Sequence, residues 1–453
     1  MKLKKIINGI YHLCQWTVTS LMTFIISGIL ILSLICVCYL RVKEHVYLYD
    51  DKTILQFVSI IALIVIVSLS AKNAYIKKAG EDLDVQEHYQ KVLKIILSLA
   101  FIIGLVWISS SQYISINDQD DVLEAVAYAR RGNMSSFLDK GYMHRYPHQL
   151  GLMLFEMILG YFFGDYNYVV FQLCNVIAYV LILKEMAWEC RRIGLRNIYA
   201  VISVLLGMLF LPLLFYTSYV YGILLGLLFS LLAIRHELQF TDDHKPGSAI
   251  AACLWIIAAV VIKSNYLIFG IGMILYLLVY VAKTQDFKII CVDLFLILAL
   301  VVGNGVPKLI VEKTTSADMN HGIISTAWIV MGLDDSSAIG PGWYNGYNLN
   351  TYLEAGYDPE VQRERVSRDL QERIQTFSRD WHYAASFFVK KWASQWCDPT
   401  FGGIWILQAA NPGVNLPDWQ WYIRSVPGAY KITGYLNFIH IWILFGTLLY
   451  VFA

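Results

Sequence analysis

Charge is scarce in this chain. Only 15% of its 453 residues are Asp, Glu, Lys or Arg, while 57% are hydrophobic. With a mean hydropathy of +0.54, that balance falls outside the range of soluble globular domains. The formal net charge of +1 points to no class of partner. No basic stripe with interleaved aromatics occurs outside the apolar runs, so nucleic acid is not expected as a partner. A P-loop, a GxSxG elbow, an HExxH helix and a Rossmann fingerprint are all missing, so energy from a bound nucleotide is not indicated. The eight cysteines (Cys14, Cys36, Cys38, Cys174, Cys190, Cys253, Cys291 and Cys397) contain no CxxC, and neither a metal site nor a disulfide framework is expected from their spacing. Most lie in or beside apolar runs, where they serve as small apolar residues; Cys397 alone sits in a long polar segment, with no evident partner. No period of 20–50 residues repeats, and no low-complexity tract occurs.

What the chain does have is apolar runs. A helix that crosses a bilayer needs about 20 apolar residues. Runs of that kind lie near 17–40, 53–71, 92–113, 167–187, 197–214, 219–235, 248–263, 266–282, 288–306 and 432–452. The expectation is an all-α polytopic membrane protein with about 10 transmembrane helices. No small-residue cleavage site follows the first run, so a cleaved signal peptide is not expected. The last run, LNFIHIWILFGTLLYVFA, has no polar tail, which suits either a truncated C-terminus or a compact member of a longer family.

Sidedness follows from the cations. Lys2, Lys4 and Lys5 place the N-terminus inside, and Lys72, Lys77, Lys78 and Lys91 return to that side two crossings later. The run LGLMLFEMILGYFFG, from Leu150 to Gly164, then decides the parity. If it crosses, Arg191, Arg192, Arg196, Arg235, Lys245, Lys283 and Lys288 all fall outside, against the positive-inside rule. Its 15 residues reach only about 22 Å as a helix, short of a hydrocarbon core of roughly 30 Å. It is therefore expected to be re-entrant or interfacial, on the outer side. The resulting organisation is two added N-terminal spans (1–91), a module of spans (92–306) with an external loop at 114–166, a large extracytoplasmic segment (307–430) and a final span (431–453).

Four motifs face that outer side. In SINDQDD, Asp118, Asp120 and Asp121 crowd the exit of a span. The following VLEAVAYARRG reads as a helix stopping at Gly132, so Asn117 or Asp118 would cap it and the acids would suit its dipole. Capping does not call for three carboxylates at a membrane boundary, where ionisable groups are functional by default. One of them would serve as a general base on an acceptor hydroxyl, or hold a cation. In GYMHRYPHQLG, His144, Arg145 and His148 surround Pro147. They read either as interfacial anchors or as a phosphate site, since the Arg fork matches phosphate geometry. The proline and the missing i,i+4 spacing speak against a zinc helix. Lys263, in VIKSNYLI, is either a snorkelling anchor or a phosphate partner on a side where cations are disfavoured. In GLDDSSAIGPGWYNGYN, Trp343, Tyr344 and Tyr347 suit stacking on sugar faces, and Asn345 and Asn348 suit hydroxyls. The same residues equally suit a packed loop. Asp334 and Asp335 are rival acids. The string IGPGWYNGYN reads as loop, residues 359–380 as a helix with Pro359 in its first turn, and residues 381–396 as a segment lying on a membrane surface.

In this order of parts the chain resembles the GT-C superfamily of integral-membrane glycosyltransferases, on the branch of the protein O-mannosyltransferases and the lipid A aminoarabinose transferase (family 39-like). A span leads into a loop opening on acids, then into the basic-aromatic Arg145-Tyr146-Pro147-His148 segment and a short helix, then into tightly joined spans and a large external segment. The resemblance covers about residues 92–430. It implies a GT-C-like helical bundle with external juxtamembrane helices, working at the outer face of the cell membrane. The donor would be a sugar on a polyprenyl phosphate or pyrophosphate, and the acceptor a cell-envelope polymer, lipid or protein. The family's acidic pair falls on Asp118, Asp120 and Asp121, with Asp118 favoured as base; the pair is often Asp-Glu in the family, and its usual Pro-Pro is the single Pro147 here. Arg145, His148 and Lys263 would hold the donor phosphate, and Trp343, Tyr344, Asn345 and Tyr347 the sugar or acceptor. No cofactor is expected; a divalent cation is compatible with the chemistry, but no motif indicates one. The alternative is a multi-span transporter or lipid-linked-sugar flippase, against which stands the lack of a two-fold repeat of broken helices. An envelope scaffold protein is a third reading, and it would tolerate Asp118→Asn.

Overall fold

The computed structural model describes residues 2–41, 45–49, 61, 81–138 and 140–452. The run expected near 53–71, together with Lys72, Lys77 and Lys78, lies outside the described residues. Among the described residues, seven helices are long and apolar enough to cross a membrane: Tyr11–Ile35, Gln86–Ser109, Tyr168–Arg192, Ile223–Asp243, Ser264–Thr284, Phe287–Thr315 and Val426–Val451. An eighth crossing would come from the pair Asn197–Leu209 and Leu211–Ser218, bent by 61°. The bend sits at Pro212, in the first turn of the second piece, which has no N–H to continue the helical ladder. Pro246–Ile262 is apolar but only 17 residues long. The described residues thus form a predominantly helical, multi-pass membrane protein.

Several boundaries differ from the sequence expectation. The first helix stops at Ile35 rather than near residue 40, and Cys36–Leu40 forms a strand paired antiparallel with His45–Tyr49. Hydropathy alone cannot separate the two states, but β-branched and aromatic residues such as Val37 and Tyr39 favour the strand. The Cys38 N–H also finds a partner there, donating to the Cys397 carbonyl at 3.1 Å. Next, Ile290–Thr315 runs past the expected span end at 306, carrying Pro307 inside it. Finally, the expected loop IGPGWYNGYN, residues 339–348, turns helical at its end, in Tyr347–Glu354. The helix Pro359–Arg379 falls where expected, capped by Asp358, whose carboxylate accepts from the Glu360 and Val361 N–H groups.

Helix Leu150–Phe163 is about 21 Å long and lies against Asp118–Arg130 and Pro246–Ile262 rather than standing alone. Its Gly151 lets the Pro246–Ile262 helix approach closely: a Cβ there would sit 1.8 Å from the Val261 carbonyl oxygen. Gly151→Ala is therefore expected to force the two helices apart at a cost of about 1–3 kcal/mol. A lowered thermal midpoint of the purified protein in detergent would register it, whereas Gly272→Ala, where a Cβ meets nothing, should leave the midpoint in place.

The cations read as inward-facing gather at one end of the bundle. Arg192 pairs with Asp242 at 2.7 Å, Arg196 with Asp84 at 2.7 Å and Arg235 with Glu185 at 2.9 Å. Asp242 lies at the far end of the 21-residue Ile223–Asp243 helix from Tyr221, about 31 Å away along the axis. The acids of the 118–121 cluster sit at the Tyr221 end.

Candidate functional site

The site is built where helices begin. Asn117 precedes Asp118–Arg130, Gln149 precedes Leu150–Phe163, and Tyr221-Gly222 leads into Ile223–Asp243. Hydrogen bonds join these three starts. The Tyr221 hydroxyl donates to Asp118 Oδ2 at 3.0 Å and accepts from Gln149 Nε2. Three helix N-termini, each a positive dipole end, therefore converge on one spot. Such a spot favours an anion.

Local sequence explains the placement. Asn117 has φ +50° and ψ −134°, a positive-φ conformation that is uncommon outside glycine and in which Asn is enriched. Its carbonyl accepts from the Asp120 and Asp121 N–H groups, although its side chain caps nothing. This correction to the expected side-chain cap leaves all three aspartates in the first turn of the helix. They diverge from there. Asp118 is exposed and faces Tyr221. Asp121 is raised above the usual carboxylate range by burial and by Asp118, with Arg145 pulling it back. Asp120 is raised by burial and by Glu124, and no cation acts on it. The structure thus brings Asp118 and Asp121 to the site, while Asp120 feels the charge of Glu124 and not that of Arg145.

Two cations complete the cluster. Lys263, the residue following the C-terminus of Pro246–Ile262, is 8% exposed, and its ammonium lies 3.1 Å from the centroid of the Tyr221 ring. Burial brings it down to about 7, against the pull of Asp118. Arg145 lies over the Tyr146 ring at 5.6 Å, and its Nε has no hydrogen-bond partner. Among the described residues, no direct ion pair joins either cation to a carboxylate. His148 meets solvent at its edge but has protein on most sides; burial, then Lys263, lowers it to about 4, with Asp118 opposing. It is a neutral imidazole near pH 7.

The remaining expected residues separate. Tyr344 is 54% exposed and close enough that burial and then the Asp118 charge raise its phenol. Of the two phenols in the aromatic loop, it is the one that feels the Asp118 charge. Trp343 donates to Ser394 Oγ at 2.8 Å, Asn345 donates to Ser336 Oγ at 2.9 Å, and the Tyr347 hydroxyl donates to Asp369 at 2.6 Å. These three fasten the loop to its neighbours. The rival acids are also engaged: Asp334 pairs with Arg373, and Asp335 accepts from the Tyr383 hydroxyl at 2.7 Å. His144, which shared the phosphate reading with His148, is 3% exposed, and its Nδ1 lies 3.2 Å from the Tyr352 hydroxyl. It joins the segment before Pro147 to the Tyr347–Glu354 helix.

Sequence reasoning missed Tyr221, Gln149 and Tyr142, whose phenol is raised by burial and by Tyr221 and Asp118 beside it. A signal existed for each. Gln149 and Tyr142 belong to the basic-aromatic GYMHRYPHQLG string, and Tyr221 to the YTSYVYG turn on the same side. Among the described residues no three His, Cys, Asp or Glu side chains converge as metal ligands would. Comparison of the chain with protein-family models, curated proteins and solved structures finds no match.

Proposed function

We propose that this protein is a GT-C-like membrane glycosyltransferase that moves a sugar from a polyprenyl-phosphate-linked donor to a cell-envelope acceptor on the extracytoplasmic face of the cell membrane. The observation that carries this reading is a pair of cations, Arg145 and Lys263, without carboxylate partners among the described residues, beside an exposed Asp118 where three helices begin. In this reading the lipid phosphate takes the place of the missing counter-anion. Asp118 accepts the proton of the acceptor hydroxyl, whose oxygen attacks the anomeric carbon. The bond from that carbon to the phosphate oxygen breaks, and the charge left on the phosphate is stabilised by Lys263, Arg145 and the helix dipoles. Tyr344, open to solvent above the acids, is suited to the sugar face. The anomeric configuration inverts. The test is an assay of purified protein with radiolabelled polyprenyl-phosphate sugars and envelope fractions. Transfer by wild type and Asp120→Asn, lost in Asp118→Asn and Lys263→Ala, is the expected pattern; equal transfer by all four would reject these assignments.

One observation favours a transporter or flippase instead. Glu156, Glu237 and Asp293 are buried in helices with carboxylate oxygens that lack hydrogen-bond partners. Intramembrane acids of that kind mark ion or proton pathways in transporters. Movement of a lipid-linked sugar across proteoliposomes, unaffected by Asp118→Asn but abolished by Glu237→Gln, would establish that reading.

A further inference from the structure

We propose that Cys38 and Cys397 form a disulfide that fastens the Cys36–Leu40 strand to the segment supporting the candidate site. The two residues lie far apart in sequence, one after the first helix and one after Trp381–Trp396, yet they are direct neighbours. The Cys38 N–H donates to the Cys397 carbonyl at 3.1 Å. A backbone bond of that kind brings Cα atoms to roughly 5–6 Å, inside the range a disulfide requires. Both side chains have 0% exposure and share one buried cluster with Ala393. The Cys38 thiol donates to the Ala393 carbonyl at 3.2 Å, and Cys397 Sγ accepts from Ser33 at 3.6 Å. A rotation about each Cα–Cβ bond would exchange these weak contacts for a covalent one.

The junction bears on the site. Asp398, next to Cys397, is 6% exposed and accepts from the Thr400 N–H at 2.8 Å, the Thr400 hydroxyl at 2.6 Å and the Gly402 N–H at 3.0 Å. It also receives a backbone hydrogen bond from Leu40. The loop held this way offers its Phe401 carbonyl to the Tyr216 hydroxyl at 2.7 Å. Tyr216 opens the turn that ends at Tyr221, so the strand, the 397–402 loop and the Asp118 partner form one mechanical chain.

This inference rests on the proposed sidedness, because thiol pairs stay oxidised beyond the cytoplasmic membrane and reduced within it. Formation needs an oxidant, here the disulfide of a protein thiol oxidase. One cysteine thiolate attacks that disulfide to give a mixed disulfide, and the second displaces the carrier. Two cysteine thiols become one S–S bond, and the carrier leaves as a dithiol holding the two electrons and two protons. Burial holds Cys397 up at about 11 and raises Cys38 as well, so neither presents a thiolate once packed. Exchange therefore precedes docking of the strand, and the finished bond resists reductant in the folded protein.

The test uses full-length protein from membranes denatured directly in excess N-ethylmaleimide, digested without reductant and analysed by mass spectrometry. A Cys38 peptide linked to a Cys397 peptide is expected, with Cys14 and Cys174 alkylated. Complete alkylation of both Cys38 and Cys397 would overturn the inference. Cys38→Ser and Cys397→Ser should each lower the thermal midpoint, and the double variant no further; additive losses would count against a shared bond. Asn133→Cys, probed on intact cells with a membrane-impermeant maleimide, separates this inference from the sidedness beneath it. Labelling from outside with both thiols free removes the disulfide alone. Labelling only after permeabilisation removes the sidedness and the disulfide together.

Discussion

Asp118→Asn is expected to lower sugar transfer by about 10²–10⁴-fold, the usual contribution of a positioned general base, with little change in fold or donor affinity. The side-chain oxygen of Asn can still accept the Tyr221 hydroxyl, now 3.0 Å from Asp118 Oδ2, so the joint between the three helix starts survives. What is lost is the capacity to take a proton. Tyr221→Phe removes the hydroxyl that positions Asp118 and also the acceptor for Gln149. It should reduce turnover by about 10- to 100-fold, since a hydrogen bond to a charged carboxylate contributes about 1.5–3 kcal/mol. Asp120→Asn should be nearly silent, because Asp120 feels the charge of Glu124 and not that of the cations. Asp334→Asn should act on stability alone, by weakening the pair with Arg373. Initial rates with a saturating lipid-linked donor, read beside thermal midpoints, distinguish these outcomes. A fully active Asp118→Asn would end the case for this carboxylate as base.

The ordering of those variants could not have been read from the sequence, and the reason is geometric. SINDQDD announces three acids in a first helical turn, and helix periodicity spreads them around the axis. Which of them meets a partner depends on Tyr221, about a hundred residues further on in a different turn. The apolar runs were legible because lipid and protein interior make the same demand of a helix, a long stretch without charge. Cys36–Leu40 was not, because its pairing with His45–Tyr49 and its docking on Cys397 are contacts that hydropathy does not register. The aromatic loop was ambiguous for a related reason. Trp343, Asn345 and Tyr347 carry polar groups that bind a sugar or a neighbouring helix equally well, and here Ser394, Ser336 and Asp369 claim them. Tyr344, whose hydroxyl has no such partner among the described residues, is what remains for a ligand.

Lys263 is expected to make donor binding depend on pH in a definite direction. Burial holds it at about 7 in the free protein, far below the usual lysine value of roughly 10.4. A bound phosphate favours the charged form and raises it again. Binding therefore takes up a proton wherever the free lysine is neutral and the bound one is charged. Affinity should be constant below pH 7 and fall as pH rises above it, by up to about tenfold per unit. Lys263→Met should weaken the donor by about 10- to 100-fold at pH 6, the value of a charge-assisted hydrogen bond, and flatten the profile. Lys263→Arg should flatten it too, but at high affinity, because guanidinium stays charged throughout. Arg145→Ala should lower affinity while leaving the slope intact, since the titrating group is still present. His148, at about 4 in the free protein, is neutral before the donor binds, so any proton it takes up on binding would steepen the profile only toward pH 6, and the slope above pH 7 reports Lys263. Donor dissociation constants in lipid nanodiscs at pH 6, 7, 8 and 9 test all four forms. A wild-type profile flat from pH 6 to 9, or a slope that persists in Lys263→Arg, would mean that this lysine does not touch the phosphate.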